Sequence, residues 1–181
     1  MADATAPGPF ERLQAIDRRC QALLGTADPA GATREEWTGV LFSLAGQRLL
    51  VDMARLSEII PLPAVTRVPL LKPWVLGVAN LHNSLLTVID LRAFWFRSAT
   101  PRSGRERVLV VNRQEERIGL LVQEVQGMRH FWTSERSDEL PPLAEAVRAH
   151  VRGAFRRQDD HFAVFDVDRL LDDPAFSQVA L

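Results

Sequence analysis

Residues 75–95 read VLGVANLHNSLLTVIDLRAFW, from Val75 to Trp95, and this stretch decides the fold. A valine and a glycine open an apolar run, His82-Asn83 breaks it, and a second apolar run ends at Asp90. Leu91, Phe94 and Trp95 then follow at spacings of three and four. This is the pattern of a β-hairpin feeding an amphipathic helix. The same order recurs at residues 151–171, VRGAFRRQDDHFAVFDVDRLL, displaced by 76 positions, from Val75 to Val151. Val75, Gly77, Val88 and Asp90 fall on Val151, Gly153, Val164 and Asp166. Only these four positions coincide, so the repeat rests on the order of features, and it implies two related halves.

Composition narrows the classes. With 181 residues, 46% of them hydrophobic, the chain can bury a sizeable core. Its 22 basic and 23 acidic residues leave a net charge of −1, without the excess that sequence-blind nucleic-acid binders carry. Lys72 is the only lysine, so the positive charge is arginine, which suits bidentate contacts with partner carboxylates. Cys20 is the only cysteine, excluding an internal disulfide or a cysteine-pair metal site. The start, MADATAPGPF, lacks the pattern of a signal peptide, and no apolar run reaches the roughly 18 residues of a membrane span. The expectation is a cytoplasmic protein without direct membrane insertion.

Along the chain, Phe10, Leu13, Ile16, Cys20, Leu23 and Leu24 paint one stripe on an expected helix, followed by a linker; residues 1–36 form this amino-terminal extension. Residues 37–175 form the main domain. WTGVLFSL and RLLV, joined by Ala45-Gly46-Gln47, predict a hairpin. Met53, Leu56, Ile59 and Ile60 predict a helix over 52–60, stopped by Pro61. The polar loop 97–106 divides the halves, and RVLVVN, RIGLLV and 125–131 predict further strands. Short strands with turn chemistry between them argue for two small barrels, the first over about 37–97 and the second over about 107–171.

Candidate chemistry is sparse. Asp90 and Asp166 each stand where a strand ends and a helix begins, so they read as structural caps rather than as an acid–base pair. His82, His130, His150 and His161 are scattered, and none stands in an i, i+4 metal-binding pair. His161 with Asp159 and Asp160 supplies one rival reading, a small metal-dependent enzyme, although its position matches the hairpin tip of the first repeat. The arginines at 97, 102, 105, 107, 113 and 117 supply another, a nucleic-acid-binding barrel, but few aromatic residues lie among them. No nucleophile elbow, P-loop or dinucleotide fingerprint is present. The expectation is no catalytic residue, no cofactor and no metal.

The ordered segments FSLAGQRLLVDMARLSEII, VTRVP, GVANLHNSLLTVIDLR and VRGAFRRQDDHFAVFDVDRLL resemble the CheW-like coupling-domain family of bacterial chemosensory systems, over about 37–171. PFERLQAIDRRCQALL before WTGV is most similar to the PilI type, which serves type IV pili and twitching motility. The resemblance implies a mainly β fold of two packed SH3-like five-stranded barrels with short helices and an amino-terminal helical extension. It implies a non-catalytic adaptor joining the cytoplasmic tip of a methyl-accepting chemoreceptor to the regulatory domain of a CheA-type histidine kinase, at the inner membrane face through receptor arrays. Receptor contacts carry over to Leu56, Glu58, His82 and Asn83. The chain departs from the family pattern at Leu81-His82-Asn83, where the family has Leu-Arg-Gly, and at Thr87, where it has proline. A neutral imidazole offers one donor in place of a charged fork, so the departure implies receptor coupling that is weakened, retuned or fitted to an unusual receptor.

Overall fold

The repeat read from the sequence is present strand for strand. The computed structural model describes residues 35–114 and 116–180. The expected amino-terminal helix and Cys20 lie outside the described residues. Strand β1 (Glu36–Leu44) turns through Ala45-Gly46 into β2 (Gln47–Asp52), followed by a 3-10 turn at Met53–Arg55 and β3 (Glu58–Pro61). The hairpin β4 (Val75–Leu81) and β5 (Ser84–Asp90) leads into helix α1 (Leu91–Phe96). The second repeat runs through β6 (Arg107–Arg113), β7 (Glu116–Val122), β8 (Glu124–Trp132), a 3-10 turn at Thr133–Glu135, β9 (Arg136–Ser137) and α2 (Glu145–Arg148). It closes with β10 (Val151–Arg157), β11 (Asp160–Phe165) and α3 (Val167–Asp172), and a short α4 (Pro174–Ser177) follows.

Both hairpins of the repeat carry the same irregularity, a bulge between Val75 and Gly77 and between Val151 and Gly153. Both glycines take positive φ, +135° and +152°. At Gly77 a close approach adds to this, since a β-carbon would meet the Thr66 carbonyl oxygen at 2.1 Å.

The sheets do not follow the halves of the sequence. One sheet has the order β8-β1-β2-β11-β10-β9 and the other β3-β6-β7-β5-β4. Each takes a first hairpin from one repeat and the closing hairpin from the other, through two parallel pairings, β2 with β11 and β5 with β7. The expected barrels at 37–97 and 107–171 therefore differ from the observed sheets, whose strands lie in 58–122 and in the two flanking stretches 36–52 and 124–165. The physical reason is that a parallel pair joins distant strands by a long crossover, and local patterning does not say which copy of a repeat supplies the partner.

Both sheets curl closed. β8 and β9 lie on opposite edges of their sheet yet are separated by only the three residues Thr133–Glu135, so those edges must meet. In the other sheet, the segment after β3 returns to pair Thr66 with Val78 of β4, joining the β3 and β4 edges. The expected SH3-like architecture is thus present, with the two-residue β9 making six strands where five were expected.

Apolar residues cover both faces of the central strands because both are buried. Val40, Phe42 and Leu44 of β1 and Leu109 and Val111 of β6 join the large core between the sheets, with Trp95, Phe165 and Phe176. Their neighbours point the other way: Leu41 enters one barrel interior and Val108 and Val110 the other. This is the alternation of a strand buried on two sides.

The helix expected over 52–60 is a 3-10 turn followed by strand β3. The 53, 56, 59, 60 spacing fits a helix, but Glu58–Pro61 hydrogen-bonds along β6 from Val110 to Arg107. Asp52 caps only the short turn, accepting from the Ala54 amide at 3.0 Å. Tertiary pairing overrides the local periodicity.

Candidate functional site

Two of the sequence-derived positions, Glu58 and His82, meet at the seam of the β3-to-β4 sheet, with Asn83 beside His82 in the turn. β3 and the β4–β5 tip belong to opposite ends of the strand order, and closure of the sheet brings them together. There His82 Nε2 lies 3.1 Å from Glu58 Oε2. His82 and Asn83 have φ of +51° and +62°, the double positive φ of a tight hairpin turn. Asn80 Oδ1 accepts from the Asn83 amide at 3.0 Å and holds the turn. Both residues tolerate this conformation better than most. Leu56 sits two residues before Glu58, partly buried against the inter-sheet core, and nearby Met53 and Ile59 are exposed at 41% and 37%. Glu58 is half-buried and His82 exposed, and strand alternation puts Ile59 on the side of β3 opposite Glu58.

Asp90 and Asp166 accept hydrogen bonds from the first-turn amides of α1 and α3. Asp90 Oδ1 takes Arg92 and Ala93 at 3.0 and 3.1 Å, and Asp166 Oδ1 takes Asp168 and Arg169 at 3.1 and 3.2 Å. Asp90 has a second task. It is buried and also accepts from the Thr100 amide at 2.8 Å and hydroxyl at 2.7 Å, which ties the 97–106 loop to the barrel. In the same loop, backbone N–H groups, its own first and those of Ser103 and Gly104 after it, hold the Glu106 carboxyl below the usual range against the opposing effect of burial.

The sequence reading treated His150 as one of four scattered histidines, and the structure makes it a junction. It is buried; Trp95 Nε1–H donates to its Nδ1 at 3.2 Å, which leaves Nε2–H to donate to Asp173 Oδ2 at 2.9 Å. The 76-residue shift places His150 on Trp74 and Asp173 on Arg97, whose guanidinium lies 5.5 Å from the Trp74 ring centre. The two carbonyls at these positions accept from the two capping aspartates, Trp74 from Asp90 N–H and His150 from Asp166 N–H, each at 2.8 Å. Following the repeat one residue upstream of Val75 would have found this pair.

Neither rival reading gains support. Asp160 faces Arg48 at 3.4 Å, His161 Nε2 lies 3.4 Å from Glu139, and among the described residues no group of three metal-ligating side chains is assembled. Of the arginine cluster, Arg105 pairs with Glu124 at 3.8 Å, Arg107 donates to the Glu106 carbonyl at 2.7 Å, and Arg113 binds the Leu171 carbonyl and Asp172. These arginines serve internal contacts. No helix among the described residues is long and apolar enough to cross a membrane.

The described residues form a two-barrel β protein. The chain belongs to the CheW-like domain family, whose model matches residues 38–175. It is 34% identical over 173 residues to Protein PilI of Pseudomonas aeruginosa, covering 96% of this chain and 97% of that one. The chemotaxis protein CheW of Klebsiella aerogenes is 23% identical, over 73% of this chain and 80% of its own. Among solved structures, the scaffolding protein TtCheW from Thermoanaerobacter tengcongensis superposes with a TM-score of 0.67 at 21% identity, covering 78% of this chain and 96% of that one.

Proposed function

We propose that this protein is a non-catalytic adaptor that couples a chemoreceptor to a CheA-type histidine kinase in a chemosensory array controlling type IV pili. The observation that carries the reading is membership of the CheW-like family across 38–175, joined to likeness with Protein PilI along nearly the whole of both chains. The Glu58–His82 face, with Leu56 and Asn83, takes the receptor's cytoplasmic tip, supported by its exposure and by the meeting of β3 with the hairpin turn. The kinase's regulatory domain, itself of this fold in the resemblance, takes a separate surface. Such an adaptor works in the cytoplasm, at the inner face of the membrane, and needs no cofactor.

The test is calorimetry of the full chain against the kinase regulatory domain and, separately, against a soluble receptor-tip fragment. The reading predicts that both bind, and that Glu58→Ala weakens only the receptor fragment. Absence of association with either partner at tens of micromolar overturns it.

A further inference from the structure

The loop between β3 and β4 breaks two local rules at one residue. Pro69-Leu70 forms a turn in which Leu70 has φ of +62°, a conformation that glycine or asparagine takes at lower cost. Leu70 is also 78% exposed, and nearby Val68 is 40% exposed, so packing within this chain does not repay the strain. The loop is nevertheless held on both sides. Thr66 and Val78 exchange backbone hydrogen bonds at 2.8 and 2.9 Å, and the Lys72 amide donates to the Val179 carbonyl at 2.8 Å. Leu70 is therefore a fixed apolar knob. Beside it the two halves of the repeat differ in charge. In the second half Asp173 accepts from His150, and in the first Arg97 stands at the place of that aspartate. The Arg97 guanidinium and the Lys72 ammonium lie 5.5 and 6.0 Å from the Trp74 ring centre. Neither cation pairs with a carboxylate of the described residues, and the buried Trp74 Nε1 has no acceptor.

We infer that residues 67–72 with Arg97 form a second docking surface, on which Leu70 enters an apolar pocket of the partner while Lys72 and Arg97 meet carboxylates at its rim. The partner is the kinase's regulatory domain, and the inference rests on the adaptor reading above. A bridging protein must hold both partners at once. This loop enters β4 at Val75, whereas His82 of the receptor face stands past the far end of that strand, about 20 Å away. A knob already fixed in place loses little freedom on binding, and unpaired cations beside it steer an acidic partner. The strain at Leu70 is retained because its side chain is used outside the fold.

The experiment measures affinity of the full chain for the kinase regulatory domain and for a soluble receptor cytoplasmic-tip fragment, both from the same genome, beside thermal melts. Three proteins are compared: the parent, Leu70→Asn and the double variant Lys72→Gln/Arg97→Gln. Asparagine relieves the positive φ and removes the knob, so Leu70→Asn should melt about 3 °C higher than the parent yet bind the kinase domain about tenfold more weakly. The double variant should lose about fivefold at low salt and little at high salt, where the parent's charge contribution is itself screened. Affinity for the receptor fragment should stay at the parental value in both variants. Kinase-domain binding by Leu70→Asn that equals the parent's, a melt that falls instead of rising, an equal loss toward the receptor fragment, or a double variant that matches the parent at low salt overturns the inference while leaving the adaptor reading intact. Failure of the parent itself to bind the kinase domain at any salt concentration overturns the adaptor reading on which it stands.

Discussion

Replacing Asp90 by alanine should cost far more than replacing its repeat partner Asp166, although both residues do the same job at a helix start. Each substitution removes two cap hydrogen bonds, worth about 1 kcal/mol in total. Asp90→Ala also strands the amide and hydroxyl of Thr100, a residue only 3% exposed. Leaving such groups buried and unpaired adds about 2 kcal/mol. Asp166 loses in addition only a side-chain approach to Arg169 at 3.6 Å, and a pair exposed on the arginine side contributes little. The expected losses are about 3 kcal/mol for Asp90→Ala and about 1 kcal/mol for Asp166→Ala. Urea unfolding followed by fluorescence of the tryptophans reads the difference as a shift in midpoint at constant slope. A cycle with Thr100→Ala should show that Asp90 and Thr100 are coupled. Equal losses from the two aspartates, or additivity of Asp90 and Thr100, refutes the claim that Asp90 anchors the loop as well as the helix.

Three further outcomes are expected. Gly77→Ala should destabilise by about 3 kcal/mol or more, because its β-carbon meets the Thr66 carbonyl at 2.1 Å, whereas Gly153→Ala, whose nearest atom is 3.8 Å away, pays chiefly the positive-φ cost of about 1 kcal/mol; comparison of melting temperatures checks the order. The side-chain hydrogen bonds from Arg157, both at 2.9 Å, hold the Glu135 carboxyl below the usual range against partial burial. A carboxyl with a lowered folded-state pKa stabilises above its unfolded-state value and loses that contribution as pH falls through the folded-state value. Glu135→Gln should therefore lower stability by about 1 kcal/mol at neutral pH, and the gap to the parent should close below about pH 4, followed by thermal melts across pH. His150→Phe, which leaves Trp95 Nε1–H and Asp173 without their shared partner, should cost about 2 kcal/mol in the same assay.

The local grammar of the chain was legible, and its long-range grammar was not. The hairpins and the capping aspartates follow from alternation and the free amides of a helix start, both of which act over a few residues. The exchange of hairpins between barrels has no such signature: β5 finds β7, and β2 finds β11, across long connections. The helix expected over 52–60 failed for the same reason, since the spacing of Met53, Leu56, Ile59 and Ile60 cannot register the waiting edge of β6. At the candidate site the resemblance supplied Leu56, Glu58, His82 and Asn83 as positions. That Glu58 and His82 touch, 24 residues apart, follows only from closure of the seam. The positive φ of Asn83 was readable from its residue type, whereas that of His82 emerged with the turn.

The central claim is that one molecule joins two partners, and a bridging measurement tests it most directly. A receptor cytoplasmic-tip fragment is immobilised, the kinase regulatory domain is passed over it, and retention is read with and without this protein. The account predicts that the kinase domain is retained only when the protein is present, and that Glu58→Ala lowers retention while leaving kinase binding in solution unchanged. Retention that does not depend on the protein, or a protein that releases the receptor fragment when the kinase domain binds, contradicts it.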